Sequence, residues 1–234
     1  MMSDKDINIL ILVGGFGTRL LSVLDERTPK PMAIVNGRPF LEYKIDEIRK
    51  YFPQNNIFLL THHLSDYIER HFKDHPNISC IKEDEPLGTG GSIKHAIKKL
   101  NLTKSDHLIV FNGDTYLKPD LNKLIADTKN NISIVACLCK NTIRFNTLHI
   151  ENNNIIKFLD KDSDMSTNYI NGGCYYFKDI SFLKSIEEDI FSIEDIFKDF
   201  VKNNPIKALV YDDIFIDIGV PEDYTKIQKL NLNE

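Results

Sequence analysis

The sequence of 234 residues lacks the features that mark membrane, secreted and nucleic-acid-binding proteins. No apolar run approaches the roughly 20 residues that a membrane-spanning helix needs. The first six residues are too polar for a secretory signal, so the sequence predicts a cytoplasmic protein with no membrane partner. A formal net charge of −5 argues against a general nucleic-acid binder, which would carry a basic stripe. An anionic substrate would therefore need locally placed cations.

Cysteine is scarce, and its four residues show none of the CxxC spacing that would indicate a metal or redox site. Cys137 and Cys139 alternate within an apolar run, which predicts buried strand thiols. The neighbouring residues His62 and His63 follow another apolar run and have no metal-binding spacing to cysteine. We interpret the two histidines as the polar exit of a strand.

Apolar runs alternate with amphipathic segments through the first half of the chain, and 42% hydrophobic residues suffice for one sizeable core. This alternation predicts a parallel sheet flanked by helices, with shorter β-like segments after about residue 145. The predicted strands in the first half are 7–13, 56–61, 78–82, 107–111 and 132–138. The predicted helices are 39–51, 64–72, 92–100 and 121–129.

A glycine-rich loop follows the first predicted strand, at its carboxyl end, where open α/β sheets bind ligands. It comprises Gly14, Gly15, Phe16, Gly17, Thr18 and Arg19. Glycines let backbone N–H groups approach a phosphate, and Arg19 offers charge-assisted hydrogen bonds to a triphosphate. The loop is not a Walker loop, since no GK[ST] follows, and Leu20 replaces the last glycine of GxGxxG. A tight turn between strand and helix is the alternative interpretation.

The segment Pro29-Lys30-Pro31-Met32 follows this loop. Together the two segments resemble the signature of the sugar-1-phosphate nucleotidyltransferase family, the nucleoside-diphosphate-sugar pyrophosphorylases. The resemblance implies that Arg19 and Lys30 are catalytic, contacting the triphosphate during attack at the α-phosphorus. The prolines restrict the backbone around Lys30, so a mobile cation is presented from a stiff segment. Nucleotide contacts are implied for Gly14, Gly15, Gly17 and Thr18.

A second glycine-rich loop, residues 85–91, precedes the helix predicted to begin near Ser92. Glycine backbone can lie against a flat base, and a helix N-terminus favours anions. In the family this loop recognises the nucleobase, although here its glutamate stands directly before the proline. An ordinary helix-capping turn is the alternative. The resemblance implies nucleotide contacts for Glu85, Pro86, Gly88 and Thr89.

Two aspartates far apart in the chain are the candidate metal ligands. Asp114 follows a predicted strand, a position from which a carboxylate can hold Mg²⁺ together with phosphate oxygens and water. Asp217 opens a D-x-G-x-P-E-D-Y-like segment in which Val220 replaces the commoner threonine. The resemblance implies that both aspartates hold the catalytic Mg²⁺. We interpret Glu222 and Asp223 as residues of the first turn of a helix, stabilised by its dipole.

The resemblance further implies a site for the sugar phosphate. Such a site needs both hydrogen-bond donors and carboxylate acceptors, because the sugar hydroxyl groups must be bound in one orientation. For Glu194 the alternative is a place near a helix dipole behind an N-cap at Ser192. Asp160-Lys161-Asp162 is also a D-x-D, as a metal-dependent glycosyltransferase would use, but its charged surroundings favour a solvated turn. The implied sugar-phosphate residues are Gly113, Lys161, Asn171, Gly172 and Glu194.

The resemblance covers residues 7 to about 228 and implies a three-layer, Rossmann-like α/β domain with a mixed, mainly parallel sheet. We expect one domain over 1–234, with a nucleotide-binding part over about 1–130 and a sugar-binding part over about 131–234. With no hexapeptide repeat behind residue 234, no acyltransferase module is expected. The sequence leaves the oligomeric state open.

Within the family, the compact length and the strings PKPM, RPFLEYKI, PLGTGGSIKHA, NGDTY and INGGCYYF look most like the D-glycero-D-manno-heptose 1-phosphate guanylyltransferases. This implies that GTP and a heptose 1-phosphate give GDP-heptose and pyrophosphate, for a surface glycan such as capsule or lipopolysaccharide. Uridylyl, cytidylyl or mannose-1-phosphate guanylyl transfer are alternatives within the family. A glycosyltransferase that consumes nucleotide-sugar and a non-catalytic nucleotide sensor are alternatives outside this reaction.

Overall fold

The computed structural model describes residues 7–20, 22–126, 130–159 and 167–232. Its strands are β1 (Ile7–Leu12), β2 (Ile34–Val35), β3 (Arg38–Pro39), β4 (Ile57–Thr61), β5 (Ile78–Lys82), β6 (His107–Asn112), β7 (Thr115–Tyr116), β8 (Ile132–Leu138), β9 (Thr147–Glu151), β10 (Asn154–Leu159), β11 (Tyr169–Phe177), β12 (Ile206–Tyr211) and β13 (Ile216–Asp217). The α-helices are α1 (Phe40–Tyr51), α2 (Ser65–Phe72), α3 (Gly88–Lys99), α4 (Leu121–Ile125), α5 (Ser181–Ser185), α6 (Ile193–Phe200) and α7 (Pro221–Ile227). Two short 3₁₀ helices cover Thr18–Leu20 and Lys30–Met32.

Nine strands form one sheet in the order β5-β4-β1-β6-β11-β8-β12-β10-β9. Strands β5, β4, β1 and β6 are mutually parallel, and β8 and β12 form a second parallel pair. Only β11 and β10 run against the other strands of this sheet. Seven of its nine strands therefore share one direction, which confirms the predicted mixed, mainly parallel sheet.

The sheet is covered on both faces because successive side chains of its strands point to opposite sides. In β1, Ile9 and Ile11 pack into one apolar cluster, and Leu10 between them packs into another. Helices α1 and α2 contribute apolar residues to the first cluster, whereas α3 and α6 contribute to the second. The three layers predicted from the sequence are confirmed.

The boundaries of several elements differ from the prediction. Helix α3 begins at Gly88, four residues before the predicted start, and α4 ends at Ile125. A hairpin joins β9 to β10 as expected, with Asn152 and Asn153 at φ of 50° and 59°. Cys137 is buried in β8, and Cys139 lies just beyond the strand and is half-buried.

The carboxyl ends of β1, β4, β5, β6, β8 and β12 meet at one edge of the sheet, and the loops beyond them form the candidate site. A separate ribbon of β7 and β13 lies beside this edge and pairs Asp217 with Thr115. Within the described ranges, no helix is both long and apolar enough to cross a bilayer. The division of the chain into a nucleotide part and a sugar part stays a prediction.

Candidate active site

The glycine loop after β1 is pressed against two neighbouring segments at its ends and exposed between them. A Cβ at Gly14 would lie 3.1 Å from the Cβ of His62, and one at Gly17 would lie 3.1 Å from the Cβ of Lys30. Gly17 also has a φ of +63°, which favours glycine. Thr18 and Arg19 are exposed on the short 3₁₀ helix. The loop therefore exposes backbone at Gly15 and a cation at Arg19 to solvent.

A cavity of about 330 Å³ lies between the two glycine-rich loops. Most residues predicted to bind the nucleotide converge on it, whereas Gly17, Thr18 and Glu85 do not line it. Asn112, the last residue of β6, and Asp114, just beyond that strand, supply another wall. The residues from the two loops that line this nucleotide cavity are Gly14, Gly15, Phe16, Pro86, Leu87, Gly88 and Thr89.

Glu83, which sequence analysis missed, occupies the place in this cavity that Glu85 was expected to take. Glu83 is 5% exposed, lies at the carboxyl end of β5, and accepts a hydrogen bond from the backbone N–H of Leu87 at 3.4 Å. Glu85 is exposed and lines a different cavity together with Lys94 and His95. The position of Glu83 directly behind a parallel strand is the signal that would have found it.

The glycines of the second loop meet another part of the protein. Gly88 has a φ of +74°, and a Cβ there would lie 2.6 Å from the carbonyl oxygen of Phe191. A Cβ at Gly90 would lie 2.1 Å from the Phe191 ring, and one at Gly91 would lie 2.2 Å from the Asp189 oxygen. The backbone N–H groups of Gly90 and Gly91 both donate to the Phe191 oxygen. Close packing against residues 189–193 thus explains why these positions are glycine, and their contact with a base stays a prediction.

The two candidate metal ligands lie on either side of one cation. Lys30 Nζ is 2.6 Å from Asp114 Oδ2 and 3.2 Å from Asp217 Oδ1, and Lys30 is only 9% exposed. Two backbone features bring the segments of Asp114 and Asp217 together. They are the β7–β13 ribbon and a hydrogen bond from the Ile218 N–H to the backbone carbonyl oxygen of Asp114. Burial raises the pKa of Asp217, and the charge of Asp114 raises it further, whereas the Lys30 ammonium lowers it.

This pair fits a magnesium site that is completed by substrate. Within the described ranges, no three metal-ligating side chains cluster together. Mg²⁺ is commonly held by one or two carboxylates while phosphate oxygens and water fill the other positions. A carboxylate pair that already holds a cation between its oxygens has the charge and the convergence that such an ion needs. Asp114 and Asp217 would hold it, and their role as ligands stays a prediction.

The residues predicted to face the sugar are largely enclosed by protein. A Cβ at Gly172 would lie 2.7 Å from Cys137 Sγ, and one at Gly113 would lie 2.6 Å from the Leu12 oxygen. Both glycines are therefore required by packing between strands. Asn171 is half-buried, and its side-chain oxygen accepts a hydrogen bond from the Gly173 N–H at 3.0 Å. Lys161 lies outside the described residues, as does its neighbour Asp160.

Glu194 lies in the first turn of α6, as the alternative interpretation expected, but its carboxylate accepts hydrogen bonds from other side chains. Thr89 Oγ1 donates to Glu194 Oε2 at 2.9 Å, and Ser192 Oγ donates to the same oxygen at 2.8 Å. Tyr175 OH donates to Oε1 at 3.2 Å. Ser192 stands at the N-cap position without a side-chain cap bond.

A second group that sequence analysis missed is an ion pair beside Asp217. Arg144, in the loop after β8, donates to Asp223 Oδ2, and Lys226 Nζ donates to Asp223 Oδ1 at 2.7 Å. Asp223 is 8% exposed and belongs to the first turn of α7, where the sequence placed it. The dipole explanation is therefore incomplete, because Asp223 also holds Arg144 at a cavity of about 380 Å³ that Asp217 lines.

The two histidines after β4 pack against the glycine loop. The Phe16 ring lies 5.7 Å from the His62 ring and 5.2 Å from the His63 ring, between centroids. His62 Nδ1 is 3.2 Å from the carbonyl oxygen of Glu83. The interpretation of these histidines as a strand exit agrees with β4 ending at Thr61.

Comparison with known proteins places this geometry among characterised relatives. The family model described as nucleotidyl transferase matches residues 8–234. The chain is 33% identical to D-glycero-alpha-D-manno-heptose 1-phosphate guanylyltransferase of Campylobacter jejuni, over 92% of this chain and 96% of that protein. Identity to the enzyme of the same name from Aneurinibacillus thermoaerophilus is 35%, over 94% and 96%. The crystal structure of HddC from Yersinia pseudotuberculosis complexed with GMP-PN matches with a TM-score of 0.76 and 35% identity, over 95% of this chain and 98% of that one.

Proposed function

The chain belongs to the nucleotidyl transferase family, and from this premise we propose that it transfers a guanylyl group from GTP to a heptose 1-phosphate. The products are GDP-heptose and pyrophosphate. The family expected from the sequence is confirmed, and the two heptose 1-phosphate guanylyltransferases support the choice of acceptor. The observation that carries the proposal is the nucleotide cavity, where two glycine-rich loops converge on Asp114, which Lys30 joins to Asp217.

The reaction requires a phosphate oxygen of the sugar phosphate to attack the α-phosphorus in line. The bond from that phosphorus to the bridging oxygen breaks, and pyrophosphate leaves with its electron pair. Lys30 and Arg19 offset the charge that builds up on the phosphates, and the exposed glycine backbone donates N–H groups to them. Mg²⁺, when bound by Asp114 and Asp217, would neutralise phosphate charge. Positioning and electrostatics thus suffice without a covalent enzyme intermediate.

Glu83 supports guanine as the base. One edge of guanine carries two adjacent donors, N1–H and N2–H₂, which a carboxylate accepts as a pair. Uracil and thymine present a single N–H between two carbonyl oxygens, which a carboxylate would repel. Glu83 is the buried carboxylate of the nucleotide cavity, next to Pro86 and Gly88. We therefore expect GTP to be preferred, and magnesium dependence forms part of the same proposal.

The proposal includes a cytoplasmic location, because the cell keeps its nucleoside triphosphates there, and a supply of GDP-heptose to a surface glycan. Pyrophosphate release from a matrix of four nucleoside triphosphates and several sugar 1-phosphates tests the reaction. We expect release to require both substrates and to be fastest with GTP and a heptose 1-phosphate. Phosphate release from nucleotide alone would reject the transferase. UTP or CTP reacting as efficiently would overturn the base assignment and leave the family standing.

A further inference from the structure

A continuous chain of hydrogen bonds joins the second glycine-rich loop to strand β11. Thr89 on the loop donates to the Glu194 carboxylate at 2.9 Å. On the other side of that carboxylate, Tyr175 OH donates at 3.2 Å. The Tyr175 oxygen in turn accepts from Asn171 Nδ2 at 2.8 Å. A residue predicted to bind the nucleotide is thereby linked to one predicted to bind the sugar phosphate.

The middle of this chain is shielded from water, which makes its geometry costly to disturb. Tyr175 has no exposed surface, and burial raises its pKa well above the ordinary value. Its hydroxyl therefore stays protonated and donates to Glu194. With the donors from Ser192 and Thr89, the carboxylate accepts three hydroxyl groups. A sugar hydroxyl would have to compete with these partners for Glu194.

The segment that carries Glu194 is also attached to the loop through backbone. Ile193 N–H donates to Thr89 Oγ1 at 2.9 Å, and Phe191 N–H donates to the Leu87 oxygen at 3.0 Å. Close packing of the loop glycines against Phe191 leaves little room for the two segments to slide. A ligand that orders the loop must therefore also order the start of α6.

We propose that Glu194 is a positioning residue that couples nucleotide binding to the arrangement of Asn171 on the sugar side. The proposal rests on the proposed function, because it concerns the same two substrates. Nucleotide in the cavity holds Thr89, Thr89 and Tyr175 hold the carboxylate, and Tyr175 holds the Asn171 amide. Because a coupling free energy is reciprocal, each substrate raises the affinity for the other by one common factor.

Tyr175→Phe interrupts this series of hydrogen bonds by removing one oxygen atom, and it keeps the packed ring. Tyr176→Phe, in the same strand, is the matched control. Tyr176 is also buried, at 1% exposed, but its hydroxyl lies 2.6 Å from His107 Nδ1 and takes no part in the hydrogen bonds that link Thr89 to Asn171. Thr89→Val removes the other link, and Thr89→Ser keeps a hydroxyl group there and should restore it. Melting curves for each variant show whether the fold is retained.

The first measurement is the affinity for heptose 1-phosphate by calorimetry, with and without the non-reactive α,β-methylene analogue of GTP. In the wild type and Tyr176→Phe, the analogue should tighten sugar-phosphate binding by about 5-fold or more, in the range of measured couplings. In Tyr175→Phe and Thr89→Val the factor should fall below about 2-fold, and the double variant should add nothing further. If the analogue tightens sugar-phosphate binding by the wild-type factor in a folded Tyr175→Phe protein, the proposal is overturned.

The second measurement is amide hydrogen exchange with the same analogue, which needs no sugar. We expect the analogue to slow exchange in residues 85–91 and also in 169–175 of the wild type. In Tyr175→Phe the protection should stop at the loop and α6. Protection confined to 85–91 in the wild type would contradict the coupling alone. No protection at 85–91 would contradict the proposed function and the coupling with it.

Discussion

The predicted nucleotide side and the predicted sugar side of the site are built in opposite ways. On the predicted nucleotide side, two glycine-rich loops line a cavity of about 330 Å³, and Thr18 and Arg19 are exposed at the end of the first loop. On the predicted sugar side, Tyr175 is hydrogen-bonded to both Asn171 and Glu194, and each of these two has further protein partners. The first side offers the exposed backbone of the loop after β1, whereas the second offers side chains whose positions are set by their neighbours.

This difference shows how the two sides differ in selectivity. Backbone N–H groups suit phosphates, which every nucleoside triphosphate carries, so the base must be chosen by a separate group such as Glu83. Recognition of sugar hydroxyl groups needs protein donors and acceptors in one fixed arrangement. A network of side chains hydrogen-bonded to one another keeps such donors and acceptors in place. The following substitutions mark the limits of this contrast or sharpen it.

The largest effect is expected at Asp114 and Asp217, the predicted metal ligands, because the ion they would hold serves both substrates and so lies outside the contrast. Asp114→Asn and Asp217→Asn should each lower magnesium-dependent turnover by about 10³-fold, since either change leaves the ion short of a charged ligand. The double variant should be little worse than either single variant. Turnover against Mg²⁺ concentration and Mn²⁺ binding by electron paramagnetic resonance measure this, with exposed Asp74→Asn as control. Fully multiplicative losses would show separate roles.

Lys30→Ala comes next and tests the cation between the carboxylates. Turnover should fall by about 10²-fold, because a shielded charge contact in the transition state is lost. Mn²⁺ should bind more tightly than in the wild type, since the ammonium at 2.6 Å from Asp114 and 3.2 Å from Asp217 no longer occupies that space. Lys50→Ala, an exposed lysine on α1, is the control. Normal turnover with an unchanged melting curve would make Lys30 a structural residue.

A smaller effect sharpens the contrast at the base. Glu83→Gln should lower the preference for GTP over UTP, measured as the ratio of kcat/KM, by about 10-fold or more. The reason is that the amide keeps one acceptor and replaces the other with a donor that faces the guanine edge. Glu85→Gln is the matched control and should leave the ratio unchanged, because Glu85 lines a different cavity. If Glu85→Gln changes the ratio and Glu83→Gln does not, the base is recognised by Glu85, as the resemblance implied.

The smallest effect concerns a buried cation on helix α1, outside the nucleotide cavity. Burial lowers the pKa of Lys44 from 10.5 to about 8, although its ammonium lies 5.5 Å from the Phe111 ring. Between these values the unfolded chain holds a proton that the folded protein has released, so this lysine makes stability rise with pH. Lys44→Met should raise the free energy of unfolding at pH 7 by about 2 kcal/mol and remove that rise. Denaturant unfolding of both proteins from pH 7 to 10.5 measures the difference, and parallel curves would contradict it.

The strength of the sequence prediction differed between the two sides for a physical reason. Gly14, Gly15 and Asp114 line one cavity, as their positions in the sequence predicted, because each lies just beyond the carboxyl end of a strand and parallel strands end at the same edge. Glu83 lines the nucleotide cavity and Glu85 does not, because residues 83–88 fold back beyond β5 and bring the Leu87 N–H to the Glu83 carboxylate. The nucleotide contact of Glu85 stays a prediction. On the sugar side, the enclosure of Gly172 by Cys137 depends on an irregular pairing between β11 and β8.

The amino-acid sequence by itself determined the family, the α/β class with its mainly parallel sheet, and the two glycine-rich loops, because local periodicity and glycine placement act over a few residues. Only the tertiary structure decided which distant groups meet. Asp114 and Asp217 converge through the β7–β13 ribbon, and Arg144 reaches Asp223 from the loop after β8. Thr89 meets Glu194 across 105 positions of chain. Such pairs depend on the path of the whole chain, because the sequence around one residue does not specify which distant residue it will contact.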